Sequence, residues 1–344
     1  MAVSRSNNFD FLRLLFASLV IVSHSYPLSG IKSQEILRKL TNGQADFGGL
    51  AVNCFFIISG YLIYQSLNRS KTYKNFIWKR ILRLYPGLIV MVVVTLIIVP
   101  FIYTGNEPLL KNTSYFTYLP RTLSLYNTQH TISGVFQNLP YDGIINGSLW
   151  TICYEFTMYL ITSLLFFISR RYHLILIVLM VTISYILYIF FPEFLNNRLF
   201  SKIYLFSPNF YRLTCFFFAG AAMTFINFDK ISKKYLIVFL AFIILILAVY
   251  LKIFSSLMYF ILPVLVIFFG VISTPYISSI GEKIGDNSYG IYIYGWFVQQ
   301  LLLSLFNLNT YELMVGSLLV AYIVGLMSWH FVEKKALAYK NIIS

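Results

Sequence analysis

A chain of 344 residues would ordinarily make two or three soluble domains, but 58% of this one is hydrophobic, 19% aromatic and only 11% charged. A soluble globule must present polar surface, with about a quarter of its residues charged, and disordered, coiled-coil, collagen-like and disulfide-scaffold chains each require other compositions. What is left is a polytopic membrane protein, whose net charge of +14 marks loops facing anionic lipid rather than nucleic acid.

Apolar runs long enough to cross a bilayer as helices fall at residues 9–27, 47–66, 80–103, 148–169, 173–192, 209–227, 234–251, 256–274, 287–306 and 312–332. The expectation is an all-α integral membrane protein with ten transmembrane helices. No charged linker divides the chain, so residues 1–344 form one transmembrane domain. The long gap, 104–147, is a polar segment rich in Asn, Tyr and Thr. The first run carries Asp10 and Arg13 and lacks a small-x-small cleavage site, so it stays as the first span. With a cytoplasmic N-terminus, 17 of the 26 Lys and Arg residues fall inside and 9 outside, which places both termini in the cytoplasm and 104–147 outside. Cys54, Cys153 and Cys215 all sit in apolar runs without metal-ligand spacing, so packing is expected and no metal.

Ionisable groups within a bilayer are costly unless paired or wet, so each is a functional candidate. In the first span Arg13 and His24 are eleven residues apart, close to three full turns, so they share a face with Ala17 and Val20 at an axial offset of about 16 Å. Asp10, one turn before Arg13, is its expected partner. Before the third span, Arg80 and Arg83 also share a face at the cytoplasmic end, where positive-inside topology alone accounts for basic residues; the functional reading is a fork suited to an anionic, phosphate-bearing ligand. The fourth span places Ser148, Glu155 and Tyr159 in one stripe. Glu155 is too short to snorkel, and a stripe turned toward His24 would make a carboxylate–imidazole pair. Among the other histidines, His173 is expected solvated in a loop, His130 structural in the outer loop, and His330 in a helix-end contact near Glu333. Trp150, Trp296 and Trp329 suit anchoring and packing. An echo between Cys54-Phe-Phe-x-x-Ser-Gly60 and Cys215-Phe-Phe-x-x-Ala-Gly220 reads as chance among Phe-rich helices.

These residues together resemble the acyltransferase type 3 family, integral membrane proteins that O-acylate carbohydrates and other acceptors. The matching segments run in chain order: Phe9-Asp10-Phe-Leu-Arg13 with His24; Phe55-Phe-Ile-Ile-Ser59-Gly60; Arg80-x-x-Arg83-x-x-Pro86; Ser148-Leu-Trp150-Thr-x-x-x-Glu155-x-x-x-Tyr159; Ser288-Tyr289-Gly-Ile-Tyr292; and Phe331-Val-Glu333-Lys. Departures are Gly295 where many members carry His, Lys335 where Pro is common, and Asn53 where Asp is frequent. The resemblance implies acetyl-CoA as donor, docked from the cytoplasm on Arg80, Arg83 and Arg13. It implies His24 as general base or transient acyl carrier, with Glu155 and Arg13 completing the catalytic set. Ser59, Ser148, Trp150, Tyr159 and Asp10 would then serve the acceptor, a lipid-linked sugar of O-antigen or capsule type at the outer face of the bacterial inner membrane. The rival expectation is a transporter or flippase for a polysaccharide precursor, which needs no basic pocket for a nucleotide-like donor.

Overall fold

The structure, a computed structural model, describes residues 7–196, 200, 202–203 and 205–343. Of the basic residues counted for orientation, Arg5 and Arg198 lie outside that set. Among the described residues the regular structure is helical, and the one extended pairing is an isolated antiparallel bridge between Thr131 and Ile144. The principal helices are α1 (Phe9–Leu28), α2 (Phe47–Arg69), α3 (Tyr73–Ile102), α4 (Thr113–Leu123), α5 (Trp150–Leu164), α6 (His173–Phe190), α7 (Ser207–Ala222), α8 (Lys234–Tyr250), α9 (Phe254–Val271), α10 (Ser288–Leu305) and α11 (Thr310–Ser328).

Every predicted apolar run holds a helix, but among the described residues only seven helices are long and apolar enough to cross a membrane: α1, α2, α3, α5 with its flanking 3₁₀ turns, α6 with the turn before it, α9 and α11 with its extension. The shortfall has local causes. α7 and α8 have 16 and 17 residues, and α7 begins with the polar stretch Ser207-Pro-Asn-Phe-Tyr-Arg212. α10 carries Gly290, Gly295, Gln299 and Gln300, the two glutamines fully buried. Their amides donate to Ile21 O and Ser25 Oγ on α1, and to the Tyr141 and Ile144 carbonyls. Side chains spent on such bonds cannot contribute hydropathy.

Capping fixes where helices begin. Asp46 accepts from Gly49 N at 2.7 Å to start α2, and Thr72 accepts from Asn75 N to start α3. α11 opens with a capping box between Asn309 and Glu312. The segment 104–147 is ordered by similar means. Asn112 caps α4, Thr104 N donates to Gly134 O at 2.8 Å, and Gly134 takes φ +82°, a conformation that favours glycine. Asn146 then ties the segment to the bundle, donating to Ile293 O at 2.7 Å while accepting from Ser148 N.

The two echoing stretches pack on each other. A methyl group on Gly60 would strike the Phe217 carbonyl, and one on Gly220 would strike the Ile57 carbonyl. α2 and α7 therefore cross at reciprocal glycines, the small-residue contact that membrane helices use to bring backbones together. The repeat read as chance is a packing device. α10 meets α1 and α11 in the same way, with Gly295 against Ile21 and Gly290 against Gly325. By contrast α6 and α8 expose rows of Ile, Leu and Phe, as lipid-facing helices should. His173, expected in solvent, is instead buried: Tyr64 Oη lies 2.9 Å from its Nδ1 and the Ile168 carbonyl 3.0 Å from its Nε2. The turn before α6 folds its first residue against α2, which proximity to Arg170 and Arg171 does not reveal.

Candidate active site

Two cavities lie along α1, one at each end of its polar face. The larger, about 610 Å³, is basic: Arg13, Arg69, Lys79, Arg80, Arg83 and Lys340 line it, against the carboxylates Glu155 and Asp286. The smaller, about 360 Å³, holds His24 among Trp150, Trp296, Tyr141, Glu35 and His130. Arg13 and His24 thus face different cavities from one helix, as their spacing requires. The segment 104–147 contributes His130, Tyr141 and Ile144 to the His24 cavity, while residues 337–341 border the basic one.

The basic cavity contains guanidiniums of two kinds. Arg13 Nη1 lies 2.6 Å from Asp286 Oδ2 and 3.6 Å from Asp10 Oδ1. Arg83 reaches the same Asp286 oxygen at 2.8 Å and Glu333 at 3.6 Å. Burial alone would raise the Asp286 carboxyl, but Arg13 and Arg83 outweigh it and bring the group down to about 2. Asp286 also accepts from Ser288 Oγ at 2.8 Å. Glu333 is 1% exposed and sits in the π-helical turn Trp329–Glu333, accepting from Ser328 Oγ at 2.9 Å. Such turns insert a residue into a helix and re-aim side chains, here turning Glu333 toward α3. Tyr289 lies under Arg83, with its ring centroid 5.6 Å from the guanidinium carbon, and donates to Leu84 O. Gly87 leaves room for that ring, since a Cβ there would come within 2.9 Å of it.

Arg80 differs. Among the described residues no carboxylate stands at ion-pair distance from it, and its Nε is buried without a hydrogen-bond partner. One terminal nitrogen reaches Ser66 Oγ at 3.3 Å, and the guanidinium carbon lies 5.6 Å from the Tyr159 ring and 5.8 Å from the Phe76 ring. Tyr159 in turn donates to Glu155, which also accepts from Ser59 at 3.3 Å. Glu155 and Tyr159 of the fourth-span stripe, with Ser59, therefore serve the basic cavity, where Glu155 orients the ring beneath Arg80.

The expected Glu155–His24 pair is not formed. Glu155 is bonded on its own side, and His24 Nδ1 is buried with no hydrogen-bond partner. The ring is held instead by Trp296, edge to face at 4.7 Å. Trp296 is itself locked, by Tyr141 at 5.2 Å, by donation to Ile144 O, and by Gly147, where a Cβ would come within 2.7 Å of the indole. His24 and Glu155 occupy different levels of the bundle, and no spacing within one helix specifies how two helices are rotated against each other. Of the other expected residues, Trp150 lines the His24 cavity. Ser148 lines neither cavity and has an unpartnered buried Oγ, and Asp10 acts at Arg13 outside both linings. Asp286 and Tyr292 were not singled out as site residues from sequence. The Ser288-Tyr289-Gly-Ile-Tyr292 segment, which ends at Tyr292 and begins two residues after Asp286, was the only signal. His130, read as structural, lies in the cavity wall with its Nδ1 3.4 Å from the Asn146 carbonyl. Among the described residues no group of His, Cys, Asp or Glu is arranged to hold a metal ion, and the three cysteines are buried free thiols.

Residues 6–330 match the acyltransferase domain that defines the acyltransferase 3 family. The chain belongs to that family. It is an acyltransferase, built as a multi-pass helical membrane protein. The acyltransferase is 30% identical over 340 residues to a protein named O-acetyl transferase from Shigella phage Sf6, an alignment covering 97% of this chain and 96% of the phage protein. It is 33% identical over 182 residues to Nodulation protein 10 of Rhizobium leguminosarum bv. viciae, covering 48% and 46% of the two chains. No solved structure matches it.

Proposed function

We propose that the enzyme transfers an acetyl group from acetyl-CoA, bound at the cytoplasmic side in the basic cavity, to a sugar hydroxyl entering the His24 cavity from the outer side. The distribution of Lys and Arg supports that orientation, with ten spans and both termini inside. The name of the phage relative supports acetyl as the group moved. Under this reading the acceptor is a lipid-linked unit of a surface polysaccharide, of O-antigen or capsule type, and the membrane is the bacterial inner membrane.

The observation that carries the reading is Arg80. Arg13 and Arg83 already have counterions, so an added anion gains most at the buried guanidinium that has none. Ringed by Arg69, Lys79 and Lys340, that position suits the phosphates of a CoA-type donor, while Glu155 and Tyr159 hold the guanidinium in place. The thioester then extends along α1 toward His24, which stands about 16 Å along the helix axis from Arg13. A sugar hydroxyl is a very weak acid, so its attack needs a base at the moment of bond formation. His24 is the basic side chain on the far wall fit for this, and its imidazole takes the hydroxyl proton.

Saturable binding of acetyl-CoA to the purified protein, weakened roughly 10- to 100-fold in Arg80→Ala, is the expected result. A transporter or flippase of polysaccharide precursors would show no such binding, and that outcome would overturn the reading.

A further inference from the structure

The two cavities meet at a partition. Val52 and Tyr292 are the residues common to both linings, and of the two only Tyr292 carries a polar group. Its ring stands edge to face with Phe55, which also lines the basic cavity, at 5.7 Å. Its hydroxyl lies 2.7 Å from Thr151 Oγ1 and 3.1 Å from the Ser148 carbonyl oxygen. Resting on the acyl-transfer reading above, we propose that Tyr292 is a catalytic residue of the transfer step: its hydroxyl donates to the acyl carbonyl oxygen as the thioester crosses between the cavities, and its ring keeps the two compartments apart until then.

The chemistry needs a donor at this point. Attack of the sugar oxygen forms a C–O bond and moves the carbonyl electron pair onto oxygen, while the hydroxyl proton passes to His24. Collapse of that oxyanion breaks the C–S bond, and the imidazolium returns the proton to the departing thiolate, giving the ester and free CoA thiol. A hydrogen-bond donor fixed where the oxyanion develops is commonly the largest single contribution to such a step. The hydroxyl can turn to the oxyanion without stranding a neighbour. Thr151 Oγ1 also lies 3.4 Å from the Ser148 carbonyl, so that acceptor keeps a donor when Tyr292 turns away. Thr151 and the Tyr292 ring, held by Phe55, thus form a preset hinge for one O–H bond.

The ring has a second consequence. With donor and acceptor binding from opposite sides, an open junction would let water take the acyl group, and exclusion of water is what suppresses that side reaction. Hydroxyl and ring can be separated by substitution. The full-length protein is reconstituted in nanodiscs with acetyl-CoA as donor. Thiol release is measured with and without glycan extracted from the expressing cells, and acetyl-CoA affinity is measured in parallel as the check on folding.

Tyr292→Phe keeps the ring, so glycan-dependent kcat should fall about 100-fold with acetyl-CoA affinity unchanged and no release without glycan. Tyr292→Ala should still bind acetyl-CoA but release thiol without glycan. A wild-type kcat in Tyr292→Phe overturns the donor role, and strict glycan dependence in Tyr292→Ala overturns the partition. If wild-type protein itself neither bound acetyl-CoA nor released thiol with glycan, the parent reading would fail instead.

Discussion

At the scale of single residues, the basic cavity separates charges that hold the fold from one that is left to a ligand. Arg83 lies between Asp286 and Glu333, both largely removed from water. Taking away the cation leaves Glu333 without its counterion and Asp286 with Arg13 alone, so Arg83→Ala should destabilise the protein by about 3–5 kcal/mol, read as a lowered Tm in detergent. Arg80→Ala leaves no buried charge unpaired. It should keep a near-native Tm yet weaken acetyl-CoA binding by roughly 10- to 100-fold, the loss of one or two charge-assisted hydrogen bonds. Equal loss of Tm in the two variants would show that this division is wrong. Asp286 adds a pH dependence. Its carboxyl is held at about 2 in the folded chain against 3.8 ordinarily, so its contribution is fully present above pH 4 and is lost as pH falls toward 2. The Tm difference between wild type and Asp286→Asn should therefore shrink over that interval. A difference that stayed constant would mean the ion pairs contribute little.

Individual residues also show which parts of the site a sequence can reveal. Arg13 and His24 share one helix, and helical periodicity alone puts them on one face. Glu155 and Tyr159 are likewise one turn apart, and they do meet. Asp286 was hidden because it lies in the Gly285-Asp286-Asn287 turn, where no periodicity applies, and its partners are about 200 residues or more away in the chain. The proposed Glu155–His24 contact failed for the same reason, since it required the relative rotation and depth of two helices.

At the scale of helices, apolar runs revealed the elements but not how they fit. What decides the fit is small residues meeting main-chain atoms, as where Gly60 meets the Phe217 carbonyl. Gly60→Ala must push α2 away from α7 and should cost at least about 1–3 kcal/mol. Gly220→Ala opposes the same crossing, so the double variant should lose less than the sum of the two single losses. Additive losses in thermal unfolding would show that the two glycines act independently. The count of spans was the less legible quantity, because a helix such as α10 uses Gln299 and Gln300 for bonds to its neighbours and so loses the hydropathy that identifies a span.

At the scale of the whole molecule, two cavities with separate linings predict two separable kinds of defect. His24→Ala should abolish acyl transfer to glycan while acetyl-CoA still binds with native affinity, because His24 does not line the basic cavity. Arg80→Ala should do the reverse: weak binding, with transfer restored at high donor concentration. Isothermal titration and ester analysis of cell-surface glycan distinguish these patterns. Loss of donor binding in His24→Ala would argue for one continuous site instead. Composition and motif order announced a membrane acyltransferase. The division into two chambers was not legible, since it depends on where Tyr292, Phe55 and Val52 converge from two helices.

The crossing of α2 and α7 has a consequence for how such a chain can change over time. Each glycine faces a carbonyl oxygen, an atom every amino acid carries. The neighbours at that contact can therefore drift in identity without disturbing it, whereas the glycines have no tolerated alternative. A saturation library across positions 54–60 and 215–220 should accordingly return variety at the residues being touched and near-silence at the two doing the touching.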